Sequence, residues 1–285
     1  MKKKAYFEIT NICNLSCSFC HLTRRPPRSV SVSEFRHVLG QLQGRVDFLY
    51  FHLMGEPLLH PDLKEFFDIA YEYGFKVIIT TNGTLLDKKG DILLRAPSLY
   101  KVSISLHAYE ANQMNMSIDE YLQSCFAFAD RASERGILSV FRLWNKNGKE
   151  TLNEHILFRM HEYFDKDNVG FSECYSGYKI RDRVFLEWGE KFDWPDKSAE
   201  YISDNISCYG MRDQFGILSD GTVVPCCLDA EGEIALGNIF TTPIADILSC
   251  QRAQNIKHAF EQRRAVEPLC QSCGYAHKKS GVPAP

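Results

Sequence analysis

The amino-acid sequence predicts an α/β protein: a partial (β/α)6, TIM-like barrel of parallel strands, then a small C-terminal subdomain built on a β-hairpin and a helix. Three observations predict it. Strand-like apolar runs alternate with helix-periodic segments through the first ~175 residues, the pattern of a parallel sheet with right-handed crossovers. Six such units occur, short of the eight of a closed barrel. Past residue 177 the alternation stops, and Asp220-Gly221 separates two β-branched runs, a strong hairpin signal. The expected division is 1–177 for the barrel and 178–285 for the linker and subdomain.

The elements follow in chain order. AYFEIT (5–10) reads as the first strand. VSVSEFRHVLGQLQ (30–43) has helical spacing, with Ser31 or Ser33 as N-cap. VDFLYFHLM (46–54) is the second strand, and 61–74 a helix with Pro61 near its start and Gly74 past its end. KVIITT (76–81) and KVSISLH (101–107) are strands three and four. A helix over 117–136 is closed by Gly136, and ILSVFRLW (137–144) is strand five. A helix over 151–164 precedes VGFSECY (169–175), read as strand six. The segment after Gly177 is aromatic and charged without a clear period. One helix is expected over 242–264, then CQSC (270–273) and a frayed GVPAP tail.

Composition narrows the function. The 285 residues are 45% hydrophobic and 24% charged, as in ordinary globular proteins. A net charge of −3 gives no overall basic field for nucleic acid, so an RNA or DNA partner is not expected. MKKKAYFEIT lacks the apolar centre of a signal peptide, and no run approaches 18 apolar residues. A cytoplasmic location is therefore expected, where 11 cysteines stay reduced and metal binding outranks disulfides.

Cys13, Cys17 and Cys20 are spaced C-x3-C-x2-C just after the first strand. Three thiolates suit a cubane 4Fe–4S cluster, leaving one iron for an amino-carboxylate chelate such as S-adenosylmethionine. A zinc site survives only with His21 as a fourth ligand. The spacing, with Phe19 before the last cysteine, resembles the signature of the radical SAM superfamily. That resemblance implies reductive cleavage of S-adenosylmethionine to a 5′-deoxyadenosyl radical, fed by a reduced flavodoxin or ferredoxin-type donor. Gly55, Glu56 and Pro57 resemble the family's GGEP motif, with Met54 in place of its first glycine. In the family this motif receives the methionyl amino group. Ser105 takes the place of a serine that contacts ribose or carboxylate, and Asn82 lies in the family's TNG turn.

Period two puts Ser103, Ser105 and His107 on one face of strand four, facing a polar barrel interior. Glu8, Thr10, Tyr50, His52 and Arg142 are the other inward candidates, Arg142 as a partner for the cofactor carboxylate. Cys174 and His52 join Arg142 as weak catalytic candidates, the true catalytic residue being unassigned. The Arg24–Arg28 run is expected to be a solvated loop.

Cys208, Cys226, Cys270 and Cys273 form a second set through C-x12-G-x4-C and C-x2-C. It resembles the SPASM/Twitch subdomain of the same superfamily, in the shorter version with one auxiliary 4Fe–4S cluster. The architecture resembles that of 2-deoxy-scyllo-inosamine dehydrogenase. Adjacent Cys226 and Cys227 point opposite ways in a strand, and the spacing favours Cys226. Cys125 and Cys250 are expected to be packing residues on helices. The resemblance implies hydrogen abstraction from a peptide, with a small alcohol or sugar as the alternative. A zinc-stabilised binding module without enzymatic activity is the remaining reading.

Overall fold

The computed structural model describes residues 3–280 apart from 147, 149, 150, 168 and 175. Tyr175 and the GVPAP tail therefore lie outside the described residues. The chain runs β1 (Lys4–Phe7), α1 (Val32–Leu42), β2 (Phe48–Tyr50), α2 (Leu63–Glu72), β3 (Lys76–Thr81), α3 (Leu86–Leu94), β4 (Leu99–Ser105), α4 (Ile118–Glu134), β5 (Leu138–Lys146), α5 (Asn153–Phe164), β6 (Ser172–Cys174), β7 (Gly177–Arg181) and β8 (Val184–Glu190). There follow β9 (Gln214–Ile217), β10 (Thr222–Val224), β11 (Gly237–Asn238), α6 (Ile244–Ser249), α7 (Gln251–Glu261), α8 (Pro268–Gln271) and α9 (Gly274–Ser280).

Local chemistry sets the helix starts. Ser31 and Glu34 form a capping box at α1, and Ser117 and Glu120 another at α4. Each answers two backbone N–H groups that the first turn leaves unpaired. Phe35, Val38, Leu39 and Leu42 recur at helical spacing on α1 and are fully buried against the sheet. Removing each such side chain from water contributes about 1.5–3 kcal/mol.

The eleven strands form one sheet in the order β11-β10-β9-β1-β2-β3-β4-β5-β8-β7-β6. Strands β1 to β5 and β8 are the six parallel barrel strands, and β9 extends them by pairing parallel to β1. Their outward side chains, such as Phe7, Leu49, Val77, Val102, Phe141 and Leu186, enter the main core beneath the helices. A second core of Ile206, Ile234, Ile256, Phe260, Leu269 and Cys273 holds the C-terminal region.

Four expectations need correction. The sixth parallel strand is β8, not 169–175: β6 is the sheet's outer edge, antiparallel to β7, which is antiparallel to β8. The β7–β8 turn at Arg181–Arg183 has no glycine and places Arg183 at φ 58°, so it carries no turn signal. The sheet therefore runs through residue 177. Helix α3 was not anticipated because its N-cap, Leu85, makes no side-chain cap, although Leu86, Gly90, Leu93 and Leu94 are buried at helical spacing. The helix expected over 242–264 is two, broken at Cys250, whose extended backbone and sulfur cap α7. Cys250 is thus a half-buried cap, whereas Cys125 is fully buried.

Candidate functional site

The loop after β1 leaves and re-enters the fold at one point. Asn11 N donates to Arg28 O, Val30 N donates to Ile9 O, and the Asn11 side chain bridges Pro26 O and Arg28 N. This pinch presents Cys13, Cys17 and Cys20 at the C-terminal ends of the strands, where sites form in such sheets. Cys20 N donates to Cys17 O at 2.9 Å and turns the loop. Burial pushes all three thiols above their usual pKa. N–H donors face the sulfurs: Asn112 Nδ2 lies 3.1 Å from Cys17 Sγ and Leu15 N 3.5 Å from Cys13 Sγ. Asn82 Nδ2 reaches Cys13 Sγ at 3.9 Å.

The Gly55 turn fits under this loop. Gly55 has φ +78°, and a Cβ there would sit 2.3 Å from Thr10 O, so only glycine fits. Glu56 N donates to Ile12 O at 2.9 Å, tying the turn to the cysteine loop. The Glu56 carboxylate accepts from Leu58 N, Thr81 Oγ1 and Asn82 N at 2.7–3.1 Å. Burial raises its pKa to about 7 against those bonds. Its side chain therefore braces the turn onto the end of β3, and Pro57 opens a 3-10 turn. Met54 is buried, and its N–H donates to Glu8 Oε2 at 3.2 Å.

Glu8 is the centre of a joint. Its fully buried carboxylate pairs with Arg25 at 2.7 Å and accepts from Met54 N and Ser219 N. Arg25 also donates to Ala230 O, and Arg28 to Ser219 O at 2.6 Å. Arg24, Pro26 and Pro27 are exposed, as expected of a solvated loop, but Arg25 and Arg28 lock the cysteine loop onto the C-terminal hairpin. Arg25 lacked a sequence signal because its partners lie 17 and 205 residues away. Asn112, in an irregular loop, lacked one for the same reason.

Within the barrel, Arg142 donates to Glu187 at 3.1 Å and to Thr80 Oγ1 at 3.2 Å, and its guanidinium lies over Trp144. His52 meets Thr80 Oγ1 at 3.2 Å. His107 bonds Arg142 O and packs on Phe19, whose carbonyl accepts from Trp194 Nε1 at 2.9 Å. Ser105 is half-buried at the end of β4. Thr10 is buried, with its hydroxyl on Arg28 O. Cys174 is exposed on β6, two strands beyond Glu187.

The second set assembles across the C-terminal region. The Cys226 thiol is pushed well up by burial and by its neighbours Cys208, Cys227, Cys270 and Cys273. Cys227 turns the other way: it packs with Leu53, Leu218 and Tyr6, and the Tyr6 hydroxyl bonds its sulfur. Gly210 N donates to Cys208 Sγ at 3.3 Å. Among the described residues no three His, Cys, Asp or Glu side chains converge tightly enough for a single mononuclear ion. The donor chemistry fits iron–sulfur clusters: grouped, desolvated thiols with N–H donors, which metal binding deprotonates.

A partial barrel with a three-thiol loop at its strand ends, plus a second thiol set, defines a class: iron–sulfur enzymes that use S-adenosylmethionine. The radical SAM superfamily matches residues 7–159, and the iron–sulfur cluster-binding domain SPASM matches 208–274. The chain belongs to the radical SAM superfamily. It therefore uses a 4Fe–4S cluster and S-adenosylmethionine, and the SPASM match implies auxiliary iron–sulfur. The chain is 34% identical over 88 residues to an S-adenosylmethionine-dependent nucleotide dehydratase of Selenomonas ruminantium, covering 30% of this chain and 32% of that relative. The match thus spans about a third of that relative's length. BtrN, solved in complex with AdoMet and 2-DOIA, superposes with a TM-score of 0.57 at 18% identity, covering 96% of this chain and 93% of BtrN. Streptococcus suis SuiB bound to precursor peptide SuiA gives 0.57 at 17% identity over 96% and 70%. At these identities the likeness establishes the fold. Among the described residues no helix is long and apolar enough to cross a membrane.

Proposed function

We propose that the chain cleaves S-adenosylmethionine to a 5′-deoxyadenosyl radical that abstracts hydrogen from a peptide, helped by one auxiliary 4Fe–4S cluster. The observation that carries it is the pair of thiol sets, one in the loop after β1 and one gathered in the C-terminal region. Cys13, Cys17 and Cys20 would hold three irons of the first cluster, and Cys208, Cys226, Cys270 and Cys273 would hold the auxiliary one. The first cluster supplies one electron to the sulfonium, drawn from a flavodoxin or ferredoxin-type donor. The protein's part is placement. The carbonyls of the Gly55–Pro57 turn, braced by Glu56, would receive the cofactor's ammonium, and Asn82, Ser105 and Phe19 would line its position. Arg142 and His52 face the substrate.

Precedent for peptides is SuiB, whose solved complex holds a precursor peptide. A second reading, oxidation of a small alcohol, is favoured by the nearly end-to-end match with BtrN, solved with 2-DOIA. The test is anaerobic incubation of reduced protein with S-adenosylmethionine. 5′-Deoxyadenosine should form and disappear in Cys17→Ala. Deuterium transfer from labelled peptides or labelled alcohols then decides the substrate class.

A further inference from the structure

We propose that the barrel lumen contains a site for an anionic group of the substrate, carboxylate or phosphate, with Lys101 as its central contact. The proposal deepens the radical reading and rests on it for calling the ligand a substrate. Lys101 stands on the inward face of β4, beside Ile78 of β3 and Leu138 of β5. It is half-buried, and among the described residues it makes no ion pair or hydrogen bond. The surrounding charge does not balance. Glu187, joined to Arg142 at 3.1 Å, also attracts Lys101, so one carboxylate is shared by two cations and one positive charge is left in excess. Lys4 adds to the excess, and desolvation with Arg142 and Lys101 nearby keeps His52 neutral, its pKa near 3.

Hydrogen-bonding capacity is skewed the same way. Ser103, fully buried on the same face of β4, has no partner for its hydroxyl. Thr80 Oγ1 accepts from Arg142, which leaves its own proton for His52 Nε2. The neutral ring then carries its proton on Nδ1, which is buried and unpaired. A half-buried ammonium with only a shared carboxylate, beside two orphaned donors, loses hydration that this one charge does not fully offset. An anion answers all three; a neutral substrate leaves the excess charge uncompensated. The side chains of Arg142 and Glu187 stay 15% and 31% exposed, so solvent reaches this space.

The test uses the anaerobically reconstituted protein, titrated by calorimetry with inorganic phosphate and, separately, with glutarate. Saturable binding of at least one anion is expected, and the pair tells which kind the site prefers. Binding should weaken about tenfold or more in Lys101→Met and stay within about threefold in Lys101→Arg, which keeps the charge. Lys64→Met, on the exposed face of α2, controls for net charge and should bind as wild type does. The Lys101→Met protein should also unfold at a midpoint a few degrees higher, because a strained charge is gone. Equal binding to wild type and Lys101→Met, or no binding of either anion to wild type, overturns the proposal. 5′-Deoxyadenosine formation by wild type is measured alongside. Its absence with anion binding intact discards the radical reading and leaves the anion site standing.

Discussion

The two cysteine sets are built in opposite ways. The first occupies positions 13 to 20 of one loop, with Cys13 exposed and its companions half-buried. The second gathers thiols from 208 to 273 beneath an apolar cluster of Ile206, Ile256, Phe260 and Leu269. A local set needs only a turn and a few N–H donors, and one open side leaves room for a small molecule to reach it. A distributed set forms only after the hairpin, α7 and α8 have packed, and it ends enclosed. The contrast teaches two ways to gather thiols: one by spacing within a single loop, the other by packing of elements distant in sequence. The Glu8–Arg25 joint is where the two halves meet.

The largest test of that contrast is Cys17→Ala. 5′-Deoxyadenosine production should fall by about a thousandfold or more, with the loss of about four irons per chain and an unchanged circular dichroism spectrum. A global loss of structure would instead make the first set a folding element like the second. Next comes the joint. Glu8→Gln or Arg25→Met strands one partner of a buried pair and should cost about 3–5 kcal/mol in denaturant unfolding. A cost near zero would mean that the two halves are not coupled there.

A smaller effect separates the adjacent thiols. Cys226→Ser should remove the auxiliary iron and lower the thermal midpoint, whereas Cys227→Ser should keep the iron. Iron retained in the first and lost in the second would transfer the ligand role to Cys227.

The smallest effect concerns pH. Burial holds the folded His52 pKa near 3, below its ordinary value of 6.5. Its contribution is therefore complete above pH 6.5 and is lost as acid protonates the unfolded chain first. Between pH 6.5 and 5 it should remove about 1–2 kcal/mol, a loss that His52→Gln flattens in urea titrations. An unchanged acid slope would place His52 in solvent rather than in the lumen.

Much of the first region was legible because its information is short-range. The C-x3-C-x2-C loop, the Gly55–Pro57 turn and the Ser103–Ser105 face of β4 each depend on spacing or on period two, whereas His107, expected on that strand, sits in a 3-10 turn over Leu106–Ala108. The N-cap at Ser31, one of two serines the spacing offered, was equally local. In the second region the Asp220-Gly221 hairpin and the choice of Cys226 over Cys227 were legible from spacing. Why β8 rather than 169–175 closes the parallel run depends on pairings many residues apart. Arg25 and Asn112 are the sharpest cases: each reads as a loop residue, and each acts on a group brought beside it by folding.

The amino-acid sequence alone determined the class of fold, the two thiol sets and the chemistry they point to. Apolar periodicity and ligand spacing are properties of neighbours along the chain. Tertiary structure decided which strand closes the barrel, how Glu8 and Arg25 bind the halves together, and that Lys101 shares the one carboxylate of Glu187 with Arg142. Burial and charge balance are sums over groups distant in sequence, so they exist only once the chain has folded.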